Sequence, residues 1–215
     1  MGPGKRIVVV SPHFDDGVLS LGAAMSSWAR LGARVELLTV LGCDLGSNAP
    51  TTGWDARGGF RTEGEAARKR RVEDARACAV LGVVPVWLAF GSGDYDRHGD
   101  EESVRAAVVT RLAGADTVLF PGHPLSHPDH AWLVDSLEPV TLSARVGRYA
   151  EQPYTQRAGS APSSFERVES GLRDRVAKWR GIRQYRSQLE LLGMRRSLTG
   201  GPRVFAFADE AISWQ

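Results

Sequence analysis

Residues 7–16, IVVVSPHFDD, join a run of four β-branched residues to a polar end. The apolar run predicts a strand buried on both faces, which is typical of the centre of a parallel sheet. Pro12 cannot donate to a strand ladder and favours extended backbone at the residue before it, so the chain is expected to leave the sheet there. His13, Asp15 and Asp16 are therefore predicted to lie in a loop at the carboxyl end of this strand.

A helical pattern follows this loop. Apolar residues recur at intervals of three or four from Gly17 to Leu31, which predicts an amphipathic helix. The opening unit is thus a strand, a polar loop and a helix. In open α/β sheets ligands bind outside the carboxyl ends of the strands, so the loop lies where a ligand site is expected.

The chain then alternates predicted strands with predicted helices. The helix predicted at 62–81 is expected to end at Gly82. This alternation predicts an α/β fold, a three-layer α/β/α sandwich around a mostly parallel, Rossmann-like sheet. Neither glycine-rich nucleotide-binding motif follows the first strand, so the common nucleotide-binding functions lack sequence support. Strands are predicted at 33–41, 83–90, 117–120 and 146–150, and helices at 62–81, 101–112 and 131–137.

Two further segments follow these elements. A long basic helix is predicted from about Glu166 to Leu192, and a final apolar segment from Arg203 to Trp214. For the long helix, ordinary packing or a contact in a homo-oligomer is expected before any chemistry.

Length and charge limit the classes of function. A chain of 215 residues fits a single domain over 1–215. A net charge of +2, with one short basic cluster at 68–71, does not indicate a nucleic-acid surface. The sequence has neither an apolar stretch long enough to span a bilayer nor a signal-peptide pattern, and Cys43 and Cys78 lack metal-type spacing. We expect a cytoplasmic protein with reduced thiols and without nucleic-acid or membrane partners.

A long irregular segment covers residues 43–60 and is rich in Gly, Ser, Asn, Pro and Thr. Loops of this length inside a domain are uncommon, and those that persist are often binding loops or lids. Two interpretations stay open from the sequence: a wall of the substrate site, or a disordered surface insertion.

A second polar loop repeats the architecture of the first. Residues 121–130, PGHPLSHPDH, follow the fourth predicted strand and precede a predicted helix. Mixed histidine and aspartate ligands, drawn from two strand ends that face one crevice, are typical of a divalent metal such as Zn²⁺ with an open coordination position. Four of the five histidines of the chain fall in these two loops, namely His13, His123, His127 and His130.

Neighbouring aspartates are expected to divide the chemistry of this site. On an irregular loop Asp15 and Asp16 point in different directions, so one can bind a metal while the other stays free to accept a proton from the attacking water. The close pair His127 and Asp129 offers a protonated histidine held by a carboxylate, which can stabilise the oxyanion of amide or ester cleavage. The residues themselves therefore predict a metal-dependent hydrolase.

These motifs resemble those of a known family. SPHFDD at 11–16 and HPDH at 127–130 are similar to the site motifs of the PIG-L/LmbE-like zinc-dependent de-N-acetylases, which remove acetyl groups from N-acetylglucosamine-containing substrates. Residues 70–82 resemble the second helix of that family. Lys178 together with 185–188 resembles its late K…Y-x-S-Q helix.

The resemblance implies a role for each motif residue. Asp15 would be the general base, and His127, oriented by Asp129, would stabilise the oxyanion and protonate the leaving amine. Arg70 would contact the substrate, although a solvated position on the basic helix face is the alternative. The implied cofactor is Zn²⁺ or another divalent metal, and the implied partner is a small-molecule N-acetylated glycoside, an amino sugar of the N-acetylglucosamine type or a glycosylated natural product. The implied metal ligands are His13, Asp16 and His130.

This chain departs from the usual family motif, PHPDDE, at two positions. Phe14 replaces the second proline, and Gly17 replaces the glutamate. Neither position is a ligand in the implied set. We therefore expect the metal site to be kept while the entrance to the helix differs in shape.

Two other functions share part of the pattern. The order His13-x-Asp15 with a distant His130 is that of the two-histidine, one-carboxylate triad of non-haem Fe(II) oxygenases, although those enzymes usually have an all-β jelly-roll scaffold. The other is a non-catalytic sugar-binding relative. Its weakness is that pure binding does not require a free base beside a metal.

Overall fold

The computed structural model of the protein describes residues 5–95, 101–138, 140–192 and 201–215. Strands and helices alternate along most of this length, as predicted. The elements are β1 (Arg6–Ser11), α1 (Asp16–Arg30), β2 (Arg34–Thr39), α2 (Gly53–Arg57), α3 (Glu63–Leu81), β3 (Val84–Trp87), α4 (Glu101–Leu112), β4 (Thr117–His123), α5 (Pro128–Leu137), β5 (Arg145–Ala150), α6 (Tyr154–Ala158), β6 (Glu166–Val168), α7 (Leu172–Ile182), α8 (Arg186–Leu191), α9 (Gly201–Phe207) and β7 (Glu210–Trp214).

The strands form one sheet in the order β3-β2-β1-β4-β5-β7-β6. The five strands from β3 to β5 run parallel, whereas β7 pairs antiparallel with β5, and β6 antiparallel with β7. The strand order reverses between β1 and β4, which makes their carboxyl ends the switch point where ligands bind in such sheets. The predicted fold class, a mostly parallel sheet between helices, is confirmed.

The central strand β1 supplies both cores. Ile7 and Val9 join the apolar cluster formed with α1, α3 and α7, while Val8 and Val10 join the cluster formed with α4 and α5. Successive side chains of a strand point to opposite faces, so one buried run serves two layers. The result is the predicted three-layer sandwich.

Local signals set the bounds of α3 well. The Thr62 hydroxyl accepts a hydrogen bond from the backbone N–H of Glu65, which caps the first turn. The helix ends at Gly82, whose φ of +73° is the left-handed conformation that favours glycine at this position. Gly82 is thus confirmed as the predicted stop.

The predicted long helix over 166–192 is wrong. The segment begins with strand β6, continues as α7 and turns before α8. Buried carboxylates of α3 hold that turn, because the Tyr185 hydroxyl donates to Asp74 Oδ1 at 2.6 Å and the Ser187 hydroxyl donates to Glu73 Oε2 at 2.6 Å. These long-range hydrogen bonds outweigh the local helical pattern.

The predicted apolar segment 203–214 is two elements, since α9 ends at Phe207 and β7 begins at Glu210. The Glu210 carboxylate lies inside the fold, where it accepts the backbone N–H groups of Ala23 and Ala24 at 2.9 and 2.7 Å. These N–H groups follow a kink in α1. Lys178, fully buried, places its Nζ 2.7 Å from the same carboxylate and neutralises its charge.

Among the residues that the structure describes, no helix combines the length and the apolar character needed to cross a membrane.

Candidate metal and catalytic site

The loop after β1 is held by one serine. The Ser11 hydroxyl donates to the carbonyl oxygen of His13 at 2.6 Å and accepts the backbone N–H of Gly17 at 2.9 Å. The chain therefore turns tightly from the strand into α1, and Asp15 becomes the N-cap position of that helix. This turn brings His13, Asp15 and Asp16 to the switch point of the sheet.

Three ligand atoms converge there. His13 Nδ1 lies 3.1 Å from Asp16 Oδ2, and His130 Nε2 lies 3.1 Å from the same oxygen. The two ring nitrogens are 3.2 Å apart. Ligands of a tetrahedral zinc ion with bonds of about 2.0–2.1 Å stand roughly 3.3 Å from one another. This triangle has the size of one face of a metal coordination shell.

Each imidazole pairs its other nitrogen with a buried carboxylate. His13 Nε2 lies 3.0 Å from Asp129 Oδ2, and His130 Nδ1 lies 2.5 Å from Glu151 Oε1. A carboxylate accepts a hydrogen bond from the outer N–H, which leaves the lone pair of the inner nitrogen directed at the triangle. Metal-binding histidines in proteins are almost always oriented in this way.

The carboxylates around the triangle favour a positive charge at its centre. Burial lowers the pKa of His13, but hydrogen bonds to Asp129 and Asp16 raise it more, to about 9. Burial likewise lowers the pKa of His130, which Asp16 and Glu151 raise to about 10. Burial raises the pKa of Asp16, yet the two histidines hold it well below its usual range. The residues present thus fit a divalent cation held by two histidines and an aspartate.

A looser triad of histidines overlaps this set. Ligand atoms of His13, His127 and His130 all lie within 4.8 Å of one another. That spacing is wider than the shell of one small ion requires, whereas the atoms of His13, Asp16 and His130 already have it. The triangle of His13, Asp16 and His130 is therefore the tighter of the two candidate ligand sets.

Asp15 stands apart from the convergent ligands. Its carboxylate lines the cavity, is buried and makes no capping hydrogen bond to helix α1. Burial and the neighbouring charge of Asp16 raise its pKa to about 7. The structure therefore places Asp16 among the histidines and Asp15 outside their triangle.

His127 is the N-cap residue of α5, and its Nδ1 accepts the backbone N–H of Asp129 at 3.2 Å. A ring whose Nδ1 accepts carries its proton on Nε2 when neutral. Burial, reinforced by His13 and His130, lowers the pKa of His127. Because Nδ1 accepts in this geometry, Nε2 is the ring nitrogen of His127 that is available as a donor.

Asp129 has partners beyond the neighbouring His127. Its carboxylate pairs with His13 Nε2 and accepts the backbone N–H of Gly93 at 3.0 Å. Its backbone N–H donates to His127 Nδ1, and the charge of its carboxylate also acts on the His127 ring. Asp129 thereby supports a ligand and anchors the loop after β3.

A cavity of about 520 Å³ opens beside these residues. Segment 43–60 supplies one wall of it, including the Trp54 side chain, whose Nε1 donates to Gln188 Oε1 at 2.6 Å. Of the two interpretations of this segment, a wall of the site is the one that the structure shows. Its short helix α2 was not predicted.

Arg70 lines the same cavity. Its guanidinium forms an ion pair with Asp55 and lies 5.8 Å from the centre of the Phe60 ring. The Tyr95 hydroxyl donates to the other oxygen of Asp55 at 2.7 Å. Only 13% of the Arg70 side chain is exposed, so it does not lie on a solvated helix face.

Two residues of the site were missed from the sequence, and both follow β5. Glu151 contacts His130, and the Tyr154 ring meets the His130 ring edge to face at 5.6 Å. Glu151 comes directly after a predicted strand, so the strand-end rule could have found it. His123, by contrast, lies outside the cluster, with its ring 5.9 Å from that of Phe165.

The two departures from the family motif are both buried. Phe14 belongs to the apolar core and also lines the cavity. A Cβ added at Gly17 would lie 2.5 Å from Leu37 Cδ1 and 3.3 Å from Ser11 Oγ. The entrance to α1 is therefore packed against β2 without room for a long polar side chain.

Restoring the usual glutamate is expected to harm this protein. Gly17→Glu places a carboxylate in a packed site next to two other acids, and should lower the free energy of unfolding by about 3 kcal/mol or more. Gly17→Ala should stay within about 1 kcal/mol of the parent, because the end of Leu37 can move and alanine favours a helix. Urea unfolding in the presence of a chelator measures both, and a Gly17→Glu protein as stable as the parent would contradict this packing.

Comparison with known proteins connects these features to a family. The family model described as PIG-L, GlcNAc-PI de-N-acetylase, matches residues 8–137. A 2'-N-acetylparomamine deacetylase from Streptomyces fradiae is 31% identical over 143 residues, which cover 58% of this chain and 48% of that protein. A 1D-myo-inositol 2-acetamido-2-deoxy-alpha-D-glucopyranoside deacetylase from Acidothermus cellulolyticus is 33% identical over 96 residues, 44% of this chain and 32% of that protein.

The chain spans half or less of the length of these curated relatives. Similarity to solved structures is more complete. A triple mutant of a deacetylase of teicoplanin biosynthesis superposes with a TM-score of 0.76, at 22% identity, over 97% of this chain and 96% of that one. At that identity the likeness establishes the fold.

Proposed function

The chain belongs to the PIG-L family, and we propose that it hydrolyses the N-acetyl group of an amino sugar or of a glycosylated natural product, releasing acetate and a free amine. One observation carries the proposal. The ligand atoms of His13, Asp16 and His130 converge at 3.1–3.2 Å while the neighbouring carboxylate of Asp15 stays free in the cavity. A binding protein has no need of that free base.

We propose Zn²⁺ as the cofactor, held by His13, Asp16 and His130. The ligand types suit zinc and also neighbouring transition metals, so availability decides which is loaded. When bound, a divalent metal polarises the amide carbonyl and makes water acidic enough to attack it at neutral pH. Three protein ligands leave further positions for these groups, as catalytic zinc sites require.

Asp15 moves the proton. Its carboxylate takes a proton from the attacking water as the new C–O bond forms. The same proton then passes to the amide nitrogen as the C–N bond breaks, so the products are acetate and an amine. Its unengaged, buried position beside the ligands suits both transfers.

His127 donates to the developing oxyanion. Because its Nδ1 accepts the Asp129 backbone N–H, the Nε2–H is the group left for the substrate. A fixed donor at that oxygen stabilises the transition state more than the neutral carbonyl. Because the proton on Nε2 is assigned to the oxyanion, we assign protonation of the leaving amine to Asp15.

The wall of the cavity suits a sugar. Trp54 presents an indole that is fixed by Gln188, and aromatic rings of this kind offer broad apolar area with little loss of entropy. Arg70 and Asp55 add a buried ion pair with donors and acceptors for hydroxyl groups. We propose that the glycoside lies between this wall and the catalytic residues Asp15 and His127.

Anaerobic hydrolysis tests the reaction class. A panel of N-acetylated glycosides, incubated with the protein and a divalent metal without oxygen, should yield acetate and amine in equal amounts from at least one member. The non-haem iron oxygenase alternative requires oxygen and an oxidised product instead. Product formation that depends on oxygen would overturn the proposal.

A further inference from the structure

Glu151 lies outside both sequence motifs, SPHFDD at 11–16 and HPDH at 127–130. Its carboxylate nevertheless contacts His130, one of the proposed metal ligands. We infer that Glu151 is a positioning residue that fixes His130 Nε2 as a metal ligand, so that the carboxyl end of β5 joins those of β1 and β4 in building the metal site. This inference rests on the metal site proposed above.

The side-chain contacts of Glu151 are short and buried. Its Oε1 lies 2.5 Å from His130 Nδ1, and both side chains are only 1% exposed. Its Oε2 accepts the backbone N–H of Leu125 at 3.1 Å. Both oxygens are therefore engaged, one by the ligand histidine and one by the loop that leads to it.

The backbone of Glu151 is fixed independently of any metal. Its N–H donates to the carbonyl oxygen of His123 at 2.6 Å, and its carbonyl oxygen accepts the N–H of Thr155 at 2.8 Å. The Thr155 hydroxyl donates to the same His123 oxygen at 3.0 Å. The end of β5 is thereby tied to the end of β4, and the carboxylate is held at a set distance from α5.

This arrangement decides which nitrogen of His130 faces the ligands. An ionised carboxylate can accept hydrogen bonds but cannot donate them. The proton of the neutral His130 ring therefore lies on Nδ1, facing Glu151, and the lone pair lies on Nε2. The carboxylate also makes the imidazole a stronger ligand. Loss of such an outer partner typically costs about 10- to 100-fold in metal affinity.

His13 has a corresponding partner in Asp129, but the two carboxylates differ in what else they do. Asp129 also adjoins His127 in sequence and helps to hold it, so a variant there would disturb several functions at once. Glu151 contacts His130 and the Leu125 backbone, which makes it the cleaner test.

Zinc affinity measured by chelator competition tests the inference on the full chain. Glu151→Ala is expected to weaken zinc binding by about 10- to 100-fold, and the near-isosteric Glu151→Gln, which keeps one acceptor, by a smaller factor. Thr155→Val is the matched control, because it removes a hydrogen bond from the same junction but touches no ligand. It should bind zinc within about twofold of the parent.

Cobalt substitution gives a second readout, since the visible spectrum of bound Co²⁺ reports its ligand geometry. Glu151→Ala should change the spectrum, and Thr155→Val should not. Where Glu151→Ala fails to fold by circular dichroism, Glu151→Gln carries the test. Parent-like affinity and spectrum in a folded Glu151 variant would overturn the inference alone. A parent protein that binds neither ion would overturn the proposed metal site together with it.

Discussion

Asp15→Asn is expected to lower kcat by about 10²- to 10⁴-fold while the protein keeps its metal. Asparagine has the same shape but cannot accept the proton of the attacking water. The atoms of the ligand triangle belong to His13, Asp16 and His130 and not to Asp15, so the triangle should persist. Metal content by mass spectrometry and steady-state kinetics measure the two effects separately.

Asp16→Asn is the matched control, since it makes the same chemical change one residue away. Asp16 Oδ2 lies 3.1 Å from both His13 and His130, so this variant should lose metal as well as activity. An Asp15→Asn protein without metal, beside an Asp16→Asn protein that retains it, would mean that the two roles are exchanged.

His130→Ala is expected to abolish metal binding and acetate release together. The substitution removes one of three ligands and leaves Glu151 buried without its partner. His123→Ala is the control, because His123 comes from the same loop but lies outside the cluster. It should retain metal and most activity.

His127→Ala separates the two overlapping ligand sets. If the tight triangle is the metal site, this variant keeps its metal and loses turnover, because only the donor to the oxyanion is missing. Loss of metal in His127→Ala, with metal retained in Asp16→Asn, would instead support the three-histidine set.

Much of the site could be predicted because it depends on one geometric rule. Parallel strands place their carboxyl ends on one edge of a sheet, so polar loops after two such strands had to meet. The buried run at 7–10 identified the first strand, and the proline-rich loop at 121–130 identified the second. The convergence of His13, Asp16 and His130 follows from those two local patterns.

What could not be predicted depends on distant partners. The break before α8 is set by the carboxylates of Asp74 and Glu73. They accept hydrogen bonds from the hydroxyls of Tyr185 and Ser187, which lie more than a hundred residues away in sequence. The pattern of apolar residues within 166–192 gives no sign of those hydrogen bonds. A helix was therefore predicted where the fold requires a strand and two helices.

The use of Asp129 was hidden for the same reason. Its neighbour His127 suggested a local pair, and the sequence did not show that the carboxylate also pairs with His13 and Gly93, which reach it from β1 and from the loop after β3. Adjacency in sequence is a weak guide at a site built from several strand ends. Glu151 shows the converse, since a residue outside both motifs contacts His130.

Metal add-back is the most direct test of the central claim. The protein is stripped with a chelator and assayed without oxygen on an N-acetylated glycoside, before and after addition of one equivalent of Zn²⁺. The account predicts that the stripped protein is inactive and that zinc restores release of acetate and amine in equal amounts. Full hydrolysis by the stripped protein, or none after metal is restored on any glycoside of the panel, would contradict it.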